Sequence, residues 1–217
     1  MKNNKTQLRE SYLQIRNMLS DDFVDFANKN LTRKVIWFIK KYHLKKIGIY
    51  LGAKKEVDTK EIVKFCLTNE IEVYVPKAQI KTNKMQFKQI KNLSSDIVKN
   101  DKWDILEPLD DKADLKNVND LEALFMPLVV FDKNLNRIGM GGGYYDRWIK
   151  DNAFNNYKIG ISQSSQFTNK IIDADETDIK LNFVITEKQV HIPFEDQEEL
   201  QNDLEVTYWR LNEDELD

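Results

Sequence analysis

The sequence predicts an α/β fold: a three-layer αβα sandwich, Rossmann-like, built on a largely parallel (mixed) sheet. Short apolar segments of strand length alternate with longer segments whose apolar residues recur at helical spacing. With 217 residues, of which 41% are hydrophobic and 32% charged, the chain can bury a substantial core. We expect a single α/β domain over residues 1–190 and an acidic C-terminal extension over residues 191–217.

Each element follows from its local pattern. Leu8, Tyr12, Ile15 and Leu19 recur at helical spacing, which predicts an amphipathic helix over residues 5–19. Ser20 before two aspartates is typical of the N-cap of a second helix. Further helices are expected after residue 58 and over residues 144–150. The predicted strands cover residues 47–51, 72–76, 84–90, 121–131, 157–162 and 181–186.

Composition excludes several classes of protein. The longest apolar run, residues 123–131, is nine residues long and contains a proline, so it is too short to span a membrane. The first residues are polar and show no secretory signal. A single cysteine, Cys66, cannot form an internal disulfide and fits a reducing compartment. These features predict a cytoplasmic protein without a membrane partner.

The charge is unevenly distributed along the chain. Residues 195–217 contain ten acidic residues and one arginine, so the rest of the chain is basic, at +6, although the total is −3. A mildly basic body suits anionic small molecules. No arginine-rich block or basic stripe is present, so a nucleic-acid partner is not expected.

Four of the seven glycines lie between positions 139 and 143. Glycines at positive φ can aim successive backbone N–H groups at one point, and a helix that begins after Gly143 also favours phosphate at its N-terminus. Arg137 stands just upstream as a cation for phosphate oxygens. Asp146 follows as a possible ligand for Mg²⁺, which prefers oxygen. The cluster therefore predicts an anion site.

The cluster does not fit the common glycine fingerprints. It lacks the G-x-x-x-x-G-K-[ST] pattern of a P-loop, and Tyr144 occupies the third glycine position of the dinucleotide fingerprint. A turn that only reverses the chain between strand and helix is the alternative.

Glu56 is a second candidate, because it follows a buried strand, and ligands bind at the carboxyl ends of strands in open α/β sheets. An exposed loop acid is the alternative there.

The pattern R-x-G-x-G-x-G-Y-Y-D, from Arg137 to Asp146, resembles the signature of the 5-formyltetrahydrofolate cyclo-ligase family. Four other segments match the family in the same order, so the resemblance covers roughly residues 5–187. They are K-x-x-x-R at residues 5–9, E-V-x-T at 56–59, I-x-E-P at 105–108, and the stretch from Asp178 to Glu187.

The resemblance implies ATP-dependent cyclisation of 5-formyltetrahydrofolate to 5,10-methenyltetrahydrofolate, with release of ADP and phosphate. It implies ATP as co-substrate, Mg²⁺, a reduced folate as the other small-molecule ligand, and a monomer or weak homodimer. Catalysis would fall to Lys5, Arg9 and Arg137. ATP would be bound by Lys5, Thr6, Gln7, Leu8, Arg9, Arg137, Ile138, Gly139, Met140, Gly141, Gly142, Gly143, Tyr144 and Tyr145. The folate would be bound by Leu51, Glu56, Met140, Gly141, Gly142, Gly143 and Tyr144. The metal would be held by Asp146 and Asp178.

Several positions depart from the family pattern, including Met140 and Gly142, which bear on substrate affinity more than on the type of reaction. Two alternatives to the cyclo-ligase reaction stay open. One is another ATP-using enzyme on the same fold, because fold alone does not determine function. The other is a non-catalytic homologue that binds folate or nucleotide.

Overall fold

The computed structural model describes residues 2–53, 55–79, 82–100 and 104–193. In that part of the chain the helices are α1 (Lys2–Met18), α2 (Asp21–Lys41), α3 (Lys60–Thr68) and α4 (Tyr144–Asp151). The strands are β1 (Lys46–Ile49), β2 (Glu72–Gln79), β3 (Lys84–Ile90), β4 (Ile97–Asn100), β5 (Ile105–Pro108), β6 (Ala123–Pro127), β7 (Val130–Phe131), β8 (Arg137–Ile138), β9 (Tyr157–Ile161), β10 (Phe183–Ile185) and β11 (Val190–His191).

Seven strands form the main sheet, in the order β11-β10-β9-β6-β1-β2-β3. The five inner strands are parallel, and the two edge strands, β11 and β3, are antiparallel to their neighbours. The carboxyl ends of the parallel strands therefore meet at one edge, where α/β folds bind their ligands. The predicted mixed, largely parallel sheet is confirmed.

Alternate residues along the central strands contribute to two separate cores. On one face, Ile49 and Phe125 pack with Phe38 of α2 and Cys66 of α3. On the other face, the side chains come from α4 and from the intervening strand positions, including Leu124, Trp148 and Val184. A parallel sheet buried on both faces between helices gives the predicted three layers.

The strand predicted over residues 121–131 is wrong as a single element. β6 ends at Pro127, and the chain then leaves the sheet to form β7, which pairs with β8. The Nε2 atom of Gln166 donates to the backbone oxygens of Leu128 (3.2 Å) and Val129 (2.6 Å). These side-chain hydrogen bonds take the place of the interstrand hydrogen bonds that are lost where β6 ends, so the backbone can turn toward the glycine cluster.

The predicted domain boundary after residue 190 falls inside β11, which pairs with β10 through Val190 and His191. The folded domain therefore includes His191. The rest of the predicted extension, from residue 194 onward, lies outside the described residues. None of the described helices is long and apolar enough to cross a membrane.

Candidate active site

Helix α1 crosses the carboxyl edge of the sheet and carries the K-x-x-x-R pair. Leu8 is buried against Val130, Ile138 and Ile172, which anchors the helix. Because residues four apart share one helix face, Lys5 and Arg9 both point toward the glycine loop and the segment 175–179. The Nε of Arg9 donates to the Gly139 oxygen at 2.8 Å. The two cations therefore lie on the helix face that contacts the glycine loop and residues 175–178.

Arg137 and Asp146 are locked together beside this helix. The Nη2 of Arg137 lies 3.0 Å from Oδ1 of Asp146, and its Nη1 donates to the Ile179 oxygen at 2.6 Å. The N–H of Ile179 donates to the same Asp146 oxygen at 3.0 Å. The side chain of Arg137 is only 5% exposed, so this closed set of bonds fixes its position.

Lys5 and Asp178 form a second pair of the same kind. Lys5 donates to both Asp178 and Asp175, the latter at 2.7 Å. The backbone N–H of Asp175 donates to Asp178 at 2.8 Å, which holds the turn. These two carboxylates raise the pKa of Lys5 despite its partial burial, which acts in the opposite direction. Lys5 is thus held in its charged form next to the 178–179 segment.

The glycine loop has the backbone of an anion nest. Gly141 and Gly143 have φ values of +94° and +63°, which L side chains rarely adopt. No backbone N–H from Gly139 to Gly143 donates a hydrogen bond to any described residue. The loop leads directly into α4, whose N-cap is Gly143. These N–H groups can therefore donate hydrogen bonds to an anion near Arg9, whose guanidinium lies against Gly141.

Arg147 is a structural residue of the loop that the sequence reasoning missed. Its Nη2 donates to the Gly142 oxygen at 2.6 Å, and the same side chain donates to the Asn83 oxygen at 3.2–3.3 Å. Arg147 thereby joins the glycine loop to the turn that precedes β3. The signal available in the sequence was its position one helical turn after Gly143.

Glu56 lies in a tight turn after β1. Its N–H donates to the Ala53 oxygen at 2.9 Å, and its carboxylate accepts from the Ala53 N–H at 3.2 Å. Arg16, near the end of α1, brings Nη1 to 3.7 Å from the other carboxylate oxygen. Burial raises the pKa of Glu56, although Arg16 and the Ala53 N–H act against it. The exposed-loop alternative is therefore wrong for this acid.

Two tyrosines flank Glu56. Burial raises the pKa of Tyr50 and of Tyr145, and the nearby Glu56 carboxylate acts in the same direction on each. Arg137 acts in the opposite direction and lowers the pKa of Tyr145, so the charges of both Glu56 and Arg137 reach this tyrosine.

The remaining predicted residues are placed less directly. Tyr144 lines a separate cleft of about 330 Å³ together with Arg147 and Trp148. Leu51 belongs to the main core and is 5% exposed, and Ile138, like Leu8, is largely buried. Thr6, Gln7 and Met140 are exposed. The site roles predicted for these residues remain predictions.

The acidic side chains of the site bear on metal binding. No group of three or more His, Cys, Asp or Glu side chains in the described ranges could hold one. Asp146 contacts Arg137 and the Ile179 N–H through one carboxylate oxygen, and Asp178 contacts Lys5 and the Asp175 N–H through one. The second oxygen of each carboxylate accepts no hydrogen bond from a described residue. Mg²⁺ is commonly bound by one or two carboxylates with water and phosphate oxygens. Two carboxylates beside an anion nest fit that ion.

The model of the 5-formyltetrahydrofolate cyclo-ligase family matches residues 1–187. A probable 5-formyltetrahydrofolate cyclo-ligase of Schizosaccharomyces pombe is 28% identical over 86% of this chain and 96% of its own length. A 5-formyltetrahydrofolate cyclo-ligase of Haemophilus influenzae is 31% identical over 68% of this chain and 78% of its own.

Solved structures agree with the sequence matches. A 5,10-methenyltetrahydrofolate synthetase from Mycoplasma pneumoniae superposes with a TM-score of 0.67 at 26% identity, covering 84% of this chain and 98% of that one. A synthetase of the same name from Aquifex aeolicus gives a TM-score of 0.69 at 29% identity, covering 87% and 92%. With its matched motifs and matched fold, this chain belongs to the 5-formyltetrahydrofolate cyclo-ligase family.

Proposed function

We propose that this protein is the ATP-dependent enzyme that closes 5-formyltetrahydrofolate to 5,10-methenyltetrahydrofolate and releases ADP and phosphate. Two observations carry the proposal. Arg9 contacts a glycine loop whose backbone N–H groups have no partner among the described residues. Lys5 and Arg137 are held nearby by Asp178 and by Asp146 of the helix that follows the loop. Such an arrangement suits a polyphosphate, and the family membership supplies the folate.

The chemistry explains why phosphate-binding groups dominate the site. A formamide carbon is a weak electrophile, and its oxygen is a poor leaving group. Transfer of the γ-phosphoryl group of ATP to the formyl oxygen gives an imidate phosphate and ADP. The side-arm nitrogen of the folate then attacks that carbon, the five-membered ring closes and phosphate departs. No nucleophile from the protein is needed.

Phosphoryl transfer depends mainly on positioning and on neutralisation of charge. Lys5 and Arg9 would bind phosphate oxygens from α1, while Arg137 would approach them from β8. The N–H groups of residues 139–143 would donate to the same oxygens. Mg²⁺, when bound, supplies further neutralisation, and Asp146 and Asp178 would hold it.

Glu56 and its surroundings would bind the folate at the other end of the site. An ionised carboxylate accepts hydrogen bonds strongly, and a pterin ring offers an amino group and ring N–H groups. Tyr145, whose pKa is affected by the charges of both Glu56 and Arg137, would line the path between the ring and the phosphates.

Incubation with 5-formyltetrahydrofolate, ATP and Mg²⁺ tests the proposal. We expect the ultraviolet absorption of the methenyl product to grow only when all three are present, with one ADP released per product formed. Folate-independent release of ADP would indicate another ATP-using enzyme. Tight binding of folate and nucleotide without any product would indicate a non-catalytic homologue.

We further propose that the protein works in the cytoplasm as a monomer or weak homodimer, with small molecules rather than nucleic acid as its ligands. The single cysteine supports the reducing compartment, because Cys66 is free and buried and the chain has no second cysteine with which to form a disulfide. Light scattering of the purified protein at several concentrations measures its oligomeric state.

A further inference from the structure

The guanidinium of Arg147 binds a carbonyl oxygen of the glycine loop. Its Nη2 donates to the Gly142 oxygen at 2.6 Å. In addition, Nε and Nη2 donate to the Asn83 oxygen at 3.3 and 3.2 Å. The guanidinium carbon also lies 5.3 Å from the centre of the Tyr144 ring. These three contacts fix the position of an arginine that is otherwise exposed.

The Asn83 oxygen gives Arg147 an anchor on the main sheet. Asn83 lies next to β3, which pairs with β2 from Lys84 to Ile90. Its φ of +53° is one that asparagine tolerates better than most L residues. Because this acceptor adjoins a paired strand, Arg147 holds the glycine loop against the sheet and not only against another loop.

The peptide between Gly142 and Gly143 can adopt two orientations. Neither residue has a Cβ, so this peptide can rotate by about 180° with little steric hindrance. The rotation would take φ of Gly143 from +63° to a negative value, which glycine adopts as readily. A side chain at position 143 is excluded, because its Cβ would lie 2.7 Å from Nη1 of Arg147. Backbone preference alone therefore does not select one orientation.

The orientation of this peptide decides which group faces a bound anion. The peptide bond is trans and planar, so the Gly142 carbonyl and the Gly143 N–H point in opposite directions. While Arg147 holds the carbonyl, this N–H points away from Arg147 and donates to no described residue. In the rotated peptide the oxygen would take the place of the N–H, and an oxygen that only accepts hydrogen bonds would repel phosphate.

We propose that Arg147 is a positioning residue, which keeps the Gly142–Gly143 peptide in the orientation in which the Gly143 N–H can donate to a phosphate of ATP. This inference rests on the proposed function, since ATP supplies the phosphate. Arg147 acts through the backbone of the loop and not through a contact of its own with the nucleotide. Its loss should therefore weaken nucleotide binding by letting the peptide rotate.

Two substitutions separate peptide orientation from charge. Arg147→Met keeps the length of the side chain and removes every donor. Arg147→Lys keeps the charge, but a single amine cannot reproduce the planar fork that spans two acceptors. Arg33→Met is the matched control, because Arg33 is an exposed arginine on α2, which packs on the opposite face of the sheet from α4.

Calorimetric titration with AMP-PNP and Mg²⁺ measures nucleotide affinity without turnover, because this ATP analogue is not hydrolysed. We expect Arg147→Met to raise the Kd about tenfold, as for the loss of one hydrogen bond to a charged group. Arg147→Lys should raise it less. Arg33→Met should stay within about twofold of the wild type, as is usual for surface substitutions.

Nuclear magnetic resonance reports the orientation of the peptide. In protein made with glycine labelled by ¹³C at the carbonyl and by ¹⁵N, a correlation across the peptide bond selects glycines that follow another glycine. In this sequence those are Gly142 and Gly143 alone. We expect two sharp signals in the wild type, which move when AMP-PNP is added. In Arg147→Met they should broaden, because the peptide exchanges between two orientations on the microsecond to millisecond timescale.

The two measurements together decide the inference. Weaker binding with broadened signals in Arg147→Met supports it. Unchanged affinity, or weaker binding with signals as sharp as those of the wild type, overturns it. Full affinity in Arg147→Lys with broad signals overturns it as well, because charge alone would then explain the effect. If Arg147→Met does not fold, Arg147→Gln, which is shorter and uncharged, takes its place.

The same experiment distinguishes failure of this inference from failure of the proposed function. If the wild type makes no methenyl product but binds AMP-PNP, the proposed reaction is refuted, and the titrations still decide the role of Arg147. If the wild type makes product while Arg147→Met keeps its affinity, the reaction stands and the positioning role is refuted. If the wild type does not bind AMP-PNP, the positioning role is overturned whether or not product forms.

Discussion

Arg137 Nη2 lies 3.0 Å from Asp146 Oδ1, so a cation expected to bind phosphate is paired with a carboxylate expected to bind magnesium. Lys5 and Asp178 repeat the arrangement. In each pair the positive and the negative side chain neutralise each other, which reduces the repulsion among the cations and among the carboxylates of a partly buried site. We expect bound ATP and its metal to take over these partners, phosphate for the cations and Mg²⁺ for the carboxylates.

The first prediction concerns the Arg137–Asp146 pair. Asp146→Asn keeps an oxygen for the Ile179 N–H but removes the negative charge, so it should lower kcat at least about a hundredfold, as for other groups that stabilise transition-state charge. Arg137→Lys should do the same, because lysine cannot reproduce both contacts of the guanidinium. The methenyl absorbance assay measures both.

Asp151→Asn is the control for this pair, since Asp151 is an exposed aspartate at the end of the same helix. Its kcat should stay within about twofold of the wild type, as is usual for surface substitutions. Near-normal turnover in Asp146→Asn or Arg137→Lys would contradict the assigned roles.

The second prediction concerns the metal. Chelation of divalent ions should abolish turnover, and Asp178→Asn should raise the Mg²⁺ concentration needed for half-maximal activity about tenfold or more, because Mg²⁺ binds through carboxylates. Asp175→Asn is the matched control, because Asp175 also contacts Lys5 but is 63% exposed and has no assigned metal role. Equal Mg²⁺ dependence in the two variants would show that Asp178 does not bind the ion.

The third prediction concerns the backbone of the glycine loop. Gly141→Ala places a side chain at φ +94°, which should cost about 1–2 kcal/mol of unfolding free energy and raise the KM for ATP. Gly139→Ala is the control for stability, since a Cβ there meets no atom within 4 Å. Urea unfolding compares them. Equal stability of the two variants would mean that positive φ is not required at position 141.

The fourth prediction concerns pH and the turn between β3 and β4. Two backbone N–H groups, of Lys91 and Asn92, donate to Asp96 at 2.7 and 2.9 Å. These bonds, with Lys112 and Ser95, lower the pKa of Asp96 from 3.8 to about 2. Allowing for solvent screening, Asp96→Asn should lower the unfolding free energy at neutral pH by about 1–2 kcal/mol.

The sign of the pH effect follows from the lowered pKa. The ionised carboxylate stabilises the fold fully above its ordinary pKa of 3.8, and this contribution is lost as the pH falls through about 2. The difference between wild type and Asp96→Asn should therefore shrink between pH 4 and pH 2 in urea unfolding. A difference that grows on acidification would contradict the assignment. Asp111→Asn, at an exposed neighbour, should show little pH dependence.

Residues whose role depends on local geometry were predictable. Lys5 and Arg9 share a helix face in any fold because they are four residues apart. The dense glycines indicated positive φ, which Gly141 and Gly143 adopt. The helices, six of the seven strands of the main sheet and its mixed, largely parallel character followed from the alternation of short apolar segments with helical periodicity.

Residues whose role depends on distant partners were not predictable. The break after Pro127 depends on the amide of Gln166, almost forty positions away. Arg16 has the helical spacing of Lys5 and Arg9, yet only the fold brings it to Glu56. Tyr145 lies close enough to Glu56 to be affected by its charge, a proximity that no local pattern in the sequence indicated.

The amino-acid sequence by itself determined most of the element types, the glycine loop and the spacing of Lys5 and Arg9 on one helix face, because spacing and backbone preference act over a few residues. The tertiary structure decided which cation pairs with which carboxylate and which polar atoms stay unpaired. Those outcomes depend on the crossing of α1 over the sheet and on the order of its strands, which are settled only when distant segments pack together.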